Sequence, residues 1–149
     1  MTDGTGITSS DFDELIERYH VALSEWPKGN FAPALKFFSE RDDVTLANPF
    51  GPAVRGWRQV ADTIERAASH YRDGETLGFE TTSMYSTPEL AYIVEVERYR
   101  AKIGGSDEIT PVSLRVTSIF RPEDGGWKLV HRHADPITSA RTAGSVVTN

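Results

Sequence analysis

Four long strand-like segments in the second half of the chain constrain the fold more than any other feature of the sequence. They occupy residues 77–85, 90–102, 109–121 and 127–135, and polar and apolar residues alternate along much of their length. Short runs of Gly, Pro, Ser and Asp separate them, as is typical of turns. Consecutive strands joined by short turns pair antiparallel, so this half predicts an antiparallel meander.

The first half of the chain predicts three helices. A helix that starts near Ser10 or Asp11 carries an apolar stripe at helical spacing, a shorter helix spans 31–39, and a third follows Gly56. A short strand is predicted at 43–48, ahead of an irregular segment with two prolines. The two stripes consist of Phe12, Leu15, Ile16, Tyr19, Ala22 and Leu23 in the first helix and Val60, Ile64, Ala67 and Ala68 in the third. Helices followed by a meander predict an α+β domain whose sheet packs one face on the helices.

Length and composition indicate one domain of 149 residues. Residues 1–10 and 138–149 are rich in small polar residues and predict flexible tails on either side of a domain at 11–137. The chain has no cysteine, which excludes disulfides and thiolate sites and suits a cytoplasmic location. No apolar run is long enough to span a membrane, and the net charge of −6 argues against nucleic-acid binding. No cofactor is expected.

The last two strands carry the polar residues best suited to chemistry. A five-residue turn at 122–126 would place Thr117 opposite His131 and Arg115 opposite His133, on the face that also shows Asp135. Glu95 and Glu97 of the preceding strand extend this group. If the face lines a pocket, His131, His133 and Asp135 are the candidate catalytic acid–base residues, because histidine titrates near neutrality and a carboxylate can orient it.

The opposite assignment stays open on the sequence alone. A register slip of one residue moves every side chain to the other face, and the other face is the more aliphatic one. Leu114, Val116, Phe120 and Val130 would then form the core, and the charged group would lie on the outer face as a polar dimer interface. The spacing His131-x-His133-x-Asp135 also suits a metal, but no further ligand motif supports one, so no metal site is predicted. His20 and His70 are expected on the solvent side of their helices.

Three motifs resemble the nuclear transport factor 2-like superfamily, which includes ketosteroid isomerases and SnoaL-type cyclases. They are the helix with Arg18–Leu23, the segment Val44–Gly51 followed by Arg55-Gly56 and a helix, and Arg115–Thr117 followed by a Gly-rich turn and Trp127–His133. The resemblance implies a cone-shaped half-barrel, in which a curved antiparallel sheet wraps around three helices and encloses a pocket. It also implies a homodimer through the outer face of the sheet.

The ketosteroid isomerase mechanism is not implied, because Asn48 occupies the position of the catalytic aspartate and an amide accepts no proton at neutral pH. Tyr19 matches the family's oxyanion tyrosine, and the second oxyanion donor falls near Thr117. The resemblance, the strand pairing and the position of Trp57 at the start of the third helix together predict a ligand pocket. Its residues are Tyr19, Asn48, Phe50, Trp57, Glu95, Arg115 and Thr117.

The predicted function is a SnoaL-like pocket protein for a small hydrophobic metabolite. In its catalytic form it would be a cofactor-independent acid–base enzyme, isomerase- or cyclase-like, acting on a carbonyl compound. The alternatives are a non-catalytic dimeric binding or assembly module and an epoxide hydrolase-like enzyme. In this fold the latter uses paired carboxylates with an arginine, for which the sequence offers no clear set.

Overall fold

The computed structural model describes residues 9–148, which form an α+β fold. The flexible tail predicted at 1–10 falls almost entirely outside these residues. Three α-helices and six strands follow in chain order, with two short 3-10 helices, Trp26–Lys28 and Ala143–Val146. The helices are α1 (Ser9–Leu23), α2 (Ala32–Leu35) and α3 (Trp57–Ala68), and the strands are β1 (Thr45–Ala47), β2 (Val54–Arg55), β3 (Tyr71–Ser86), β4 (Ala91–Ile103), β5 (Ile109–Glu123) and β6 (Gly126–Asp135).

The six strands form one curved, open sheet in the order β2-β1-β6-β5-β4-β3. The four long strands pair antiparallel, which confirms the predicted meander. The short strand β1 instead pairs parallel with β6 and antiparallel with the two-residue β2. The predicted fold class, helices packed on one face of a curved sheet, is confirmed.

The helices cover the concave face of the sheet with the apolar stripes that their sequences predict. On α1 the six stripe residues from Phe12 to Leu23 are buried, and on α3 Val60 and Ile64 are buried. Gly56, which precedes α3, has φ 91°, a conformation that disfavours any residue with a side chain. The second helix is shorter than the predicted 31–39, because after Leu35 the chain turns to run beside β6, where Phe38 and Leu129 form an isolated bridge.

Strand β3 begins at Tyr71 rather than at residue 77. The Asp73-Gly74 pair forms a β-bulge within this strand, and Asp73 has φ 54°. A Cβ on Gly74 would lie 2.3 Å from the Arg100 carbonyl oxygen and 2.6 Å from Cβ of Ala101. Glycine is therefore required there, because β4 passes too close for any side chain.

An ion pair ties β5 to the segment that precedes β1. Arg121 donates hydrogen bonds of 2.7 and 2.6 Å to the two carboxylate oxygens of Asp43. These bonds lower the pKa of Asp43 to about 2.

The hairpin between β5 and β6 decides which face of these strands is buried. Its turn is the two-residue Asp124-Gly125, because Glu123 pairs with Gly126. Further along, Phe120 pairs with Leu129 and Ile119 with His131, so Val130 is an extra, bulged residue. A bulge inverts the alternation of side chains beyond it. Leu129 therefore points inward before the bulge, and Arg132 and Ala134 point inward after it.

The predicted placement of the polar group of the last strands in a pocket is wrong. On β5 the buried face consists of Leu114, Val116, Ser118 and Phe120, the aliphatic alternative. The residues that lie on the outer face are Arg115, Thr117, His131, His133 and Asp135. Hydrophobic burial decides this, because exposing the aliphatic face would leave several large side chains in water. The predicted pairing is also displaced by two residues, since Thr117 pairs with His133 and Arg115 with Asp135.

Candidate functional site

A small apolar cavity lies between the helices and the concave face of the sheet. Its volume is about 40 Å³, room for one or a few water molecules. Arg132 is the only charged residue among the described residues that line it. The lining consists of Leu23, Trp26, Ala34, Phe38, Leu46, Asn48, Pro49, Phe50, Ile64, Ala67, Tyr71, Leu114, Arg132 and Ala134.

Arg132 belongs to a buried polar network at the wall of the cavity. It donates two hydrogen bonds of 2.9 and 2.8 Å to the carboxylate of Glu97, and a third of 2.9 Å to the Tyr19 hydroxyl. Tyr19 also lies 2.8 Å from the Ser118 hydroxyl. The Arg132 side chain is 12% exposed and that of Glu97 is 6% exposed. A buried charge of this kind is tolerable because it is paired and hydrogen-bonded.

The network fixes the protonation of its members. Burial lowers the pKa of Arg132, but the Glu97 carboxylate more than offsets this and raises it well above the usual value. Burial raises the pKa of Tyr19 to about 12, so its hydroxyl keeps its proton at neutral pH. A guanidinium has five N–H donors, and the three described hydrogen bonds leave two for another acceptor.

A second buried pair joins α1 to β4. His20 Nε2 lies 2.7 Å from Oε1 of Glu95, which is fully buried, and the His20 ring stacks on Phe79 with 3.7 Å between ring centroids. The other carboxylate oxygen of Glu95 makes no hydrogen bond in the described part of the chain. His20 is therefore not the solvent-facing residue predicted from the helix. Neither member of this pair lines the cavity.

Tyr71 and Tyr99 pack edge to face at one end of the cavity, with 5.6 Å between ring centroids. They share an apolar cluster with Leu114 and Ala134, both of which line the cavity. The Tyr99 hydroxyl is buried and makes no hydrogen bond within the described residues. The Tyr71 hydroxyl is nevertheless its neighbour, because a side-chain interaction with Tyr71 contributes to the raised pKa of Tyr99 after burial.

The segment 48–50 also lines the cavity. Asn48 accepts a 3.0 Å hydrogen bond from the Phe50 backbone N–H through its side-chain oxygen, and this bond holds the turn. The Phe50 ring is 49% exposed and packs on His70 and Tyr71, with ring centroids at 4.8 and 6.1 Å. Asn48 and Phe50 both line the cavity, and their contact with a ligand stays a prediction.

The remaining predicted pocket residues occupy other positions. Tyr19 is fully buried and contacts the ion pair behind the cavity, Glu95 is buried against His20, and Trp57 packs at the edge of the core without lining the cavity. Thr117 lies on the outer face, and the inward hydroxyl next to it belongs to Ser118.

The outer face holds the predicted histidine–aspartate group as a surface cluster. Asp135 accepts a 2.7 Å hydrogen bond from Arg115 and forms a 2.9 Å ion pair with His133, which is exposed. His131 Nδ1 lies 2.7 Å from the Thr45 hydroxyl, and burial together with the charge of His133 lowers its pKa. Arg115, His133 and Asp135 therefore do contact one another, but on the face of the sheet that points away from the cavity.

The sequence interpretation missed Arg132 and Ser118 as parts of the internal site, and it grouped Glu97 with residues that lie on the outer face. One signal was present, because Glu95 and Glu97 alternate in phase with the buried Ile93 and Tyr99 of the same strand. Two acids on a buried face require internal partners. The partner of Glu97 could not be identified, because only the bulge at Val130 turns Arg132 inward.

Neither a metal site nor a membrane-spanning helix is found within residues 9–148. No group of three or more His, Cys, Asp or Glu side chains there is placed to hold a metal ion. No described helix is long and apolar enough to cross a membrane.

Comparisons with known proteins agree with this architecture. The model of the SnoaL-like domain matches residues 13–138, whereas no curated protein matches the chain. A nuclear transport factor 2-like superfamily protein from Salmonella enterica is 16% identical, with a TM-score of 0.70 over 93% of this chain and 96% of that one.

Two further solved structures are similar. A ketosteroid isomerase-like protein from Erwinia carotovora is 16% identical, with a TM-score of 0.68 over 85% of this chain and 96% of that one. A protein from Streptomyces avermitilis, proposed to be a dehydratase of the nuclear transport factor 2-like family, is 20% identical, with a TM-score of 0.67 over 88% of this chain and all of that one. At these identities the structures show the fold, and together with the domain match they confirm the resemblance drawn from the motifs.

Proposed function

The chain belongs to the SnoaL-like domain family, and from that premise we propose that it binds a small hydrophobic metabolite in the cavity that the segment 48–50 helps to line. The observation that carries this proposal is Arg132, the single charged residue among the described residues of an otherwise apolar lining. Binding pockets combine apolar walls with a few placed polar groups that orient the ligand. Arg132 would supply that orientation through its unused N–H donors.

The cavity must enlarge to admit a metabolite, because pockets for such ligands usually have volumes of about 300–1,000 Å³. An open surface groove of about 380 Å³ adjoins it, and Asn48, Phe50 and Ala67 line both spaces. Displacing the half-exposed Phe50 ring would therefore join the cavity to the groove. We expect Phe50 to move when a ligand enters.

Proton abstraction has less support than binding. Among the described residues that line the cavity, none carries a carboxylate or an imidazole. Arg132 stays charged and Tyr19 stays protonated, so neither accepts a proton at neutral pH. The epoxide hydrolase-like alternative needs two carboxylates on one arginine, whereas Arg132 holds Glu97 and Glu95 instead contacts His20.

The test is binding of 1-aminoanthracene, an apolar fluorophore with one small polar group, followed by its fluorescence. Ala67→Phe fills the junction of the cavity and the groove and should weaken binding at least tenfold. Phe50→Ala should speed association, because it removes the side chain that closes the entrance. Ala61→Phe is the control, since Ala61 lies on the same helix but does not line the cavity. Equal binding by all four proteins would contradict the proposal.

We also propose a homodimer through the outer face of the sheet, the arrangement implied by the family resemblance. Tyr85, 61% exposed, packs on Tyr92 there, beside Val94 and Val96 of β4. Such a strip is suited to meet a second copy of itself. Val94→Arg should yield a monomer by sedimentation velocity, whereas Val21→Arg, on an exposed position of α1, should not. A parent protein that sediments as a monomer would contradict the dimer.

A further inference from the structure

Arg132 divides its N–H groups between the protein and the cavity. Both N–H groups of Nη1 and one of Nη2 donate to Glu97 and to the Tyr19 hydroxyl, at 2.8 to 2.9 Å. Glu97 and Tyr19 do not line the cavity, whereas Arg132 does. The three hydrogen bonds leave the N–H of Nε and the second N–H of Nη2 for an acceptor in the cavity, and these two groups lie side by side on one edge of the guanidinium.

The geometry of that edge does not choose between kinds of acceptor. Two neighbouring N–H groups can hold the two oxygens of a carboxylate, and they can also share the single oxygen of a ketone. Among the described residues that line the cavity, no second charged side chain adds a preference of its own. The choice between a neutral and an anionic ligand therefore depends on the net charge around Arg132.

Glu97 sets that net charge. Its carboxylate lies 2.8 Å from Arg132, and both side chains are almost fully buried, so the pair is neutral as a whole before a ligand arrives. Tyr19 keeps its proton and adds no charge, and the other buried carboxylate on this face of β4, Glu95, contacts His20 instead. A carboxylate ligand would bring a second negative charge to a cation that is already paired, which is costly in a buried site. A neutral carbonyl oxygen accepts the same hydrogen bonds without that cost.

We propose that Glu97 is a specificity-determining residue: by neutralising Arg132, it makes the cavity select ligands that carry a neutral acceptor oxygen, such as a ketone, over carboxylates of the same shape. Glu97 acts through Arg132 and does not itself contact the ligand. This inference rests on the proposed ligand-binding function and narrows its ligand class. The preference should reverse when the charge of Glu97 is removed, because a carboxylate ligand would then supply the missing partner of the buried Arg132.

Three small probes of similar shape test the inference: acetophenone, benzoate and ethylbenzene. Their dissociation constants are measured at neutral pH by NMR titration of the indole N–H of Trp26, which lines the cavity. The parent protein should bind acetophenone at least about tenfold more tightly than benzoate. In Glu97→Gln, which keeps the shape of the side chain, benzoate should gain at least about tenfold relative to acetophenone.

Glu95→Gln is the matched control. It removes the other buried carboxylate from the same face of the same strand, where the partner is His20 rather than Arg132. The ratio of the acetophenone and benzoate constants should stay within about threefold of the parent value in this variant. Ethylbenzene has no acceptor oxygen and reports whether each variant keeps its cavity. A general loss of packing would weaken all three probes together, so a change in the ratio separates the charge effect from a structural one.

The outcomes separate the two proposals. If the parent binds benzoate as tightly as acetophenone, the inference is overturned by the parent alone, whether or not Glu97→Gln folds. A ratio that is unchanged in Glu97→Gln, or that changes as much in Glu95→Gln, overturns it as well, while ethylbenzene binding leaves the cavity as a binding site. If none of the three probes shifts the Trp26 resonance of the parent, the proposed function itself fails and the inference fails with it.

Discussion

Replacing Glu97 with glutamine removes one charge of the buried pair and leaves Arg132 without its counter-ion. The two side chains are 6% and 12% exposed and share hydrogen bonds of 2.8 and 2.9 Å. Removing one partner of a buried ion pair costs about 3–5 kcal/mol, because the remaining charge is desolvated and unpaired. The amide still offers one acceptor oxygen to Arg132, so we expect a loss of about 3 kcal/mol in the free energy of unfolding.

This loss is measurable by urea denaturation followed by circular dichroism. A domain of this size is stable by about 5–15 kcal/mol, so the variant should remain folded and melt roughly 6–12 °C lower. Glu80→Gln provides a matched control on the neighbouring strand. Glu80 pairs with Arg98 at 3.5 Å, the two side chains are 69% and 45% exposed, and such pairs contribute at most about 1 kcal/mol.

A double variant separates the charge effect from a general packing effect. Glu97→Leu combined with Arg132→Met removes both charges and should recover most of the stability lost in Glu97→Gln, because an apolar pair of similar volume carries no desolvation cost. The reasoning would be refuted if Glu97→Gln lost no more stability than Glu80→Gln. A double variant less stable than the single one would refute it equally.

Three further predictions concern the sheet. Gly74→Ala should destabilise the protein by about 1–3 kcal/mol in urea denaturation, because its Cβ would overlap backbone atoms of β4. Gly78→Ala is the control: its Cβ would meet nothing within 4 Å, so it should change stability by less than half as much. Asp43→Asn should destabilise the protein by less than about 1 kcal/mol above about pH 4, since the Arg121–Asp43 pair is surface-exposed. The stability difference between the variant and the parent should disappear as the pH falls through about 2, because Arg121 stabilises only the ionised Asp43. In an NMR titration the midpoint of His131 should lie below about 6.5, the value of a free histidine. His133→Gln should raise the His131 midpoint only part of the way towards that value, since burial is the larger cause of the shift. A His131 midpoint at or above about 6.5 in the parent protein would contradict the burial of its ring.

Local patterns in the sequence were sufficient for the three helices, for every strand except the two-residue β2, and for the fold class. The stripes of α1 and α3 and the alternation in the four long strands each depend on residues within one segment, where helical or strand periodicity is expressed directly. The predicted start of β3 at residue 77 was too late, because the strand continues through a bulge at Asp73-Gly74 and begins at Tyr71. Asn48 and Phe50 line the cavity, and they lie in a motif that resembles the family's; that they contact a ligand stays a prediction.

The internal site depended on contacts between distant segments. The sequence by itself determined that Glu95 and Glu97 share a strand face with Ile93 and Tyr99, since side chains two apart in a strand point the same way. Only the tertiary structure decided that Arg132 meets Glu97 while His131 and His133 lie outside. That outcome follows from one extra residue, Val130, in the pairing of β5 with β6. A bulge forms where two strands and the layer beneath them pack best together, so the alternation within β6 alone could not show it.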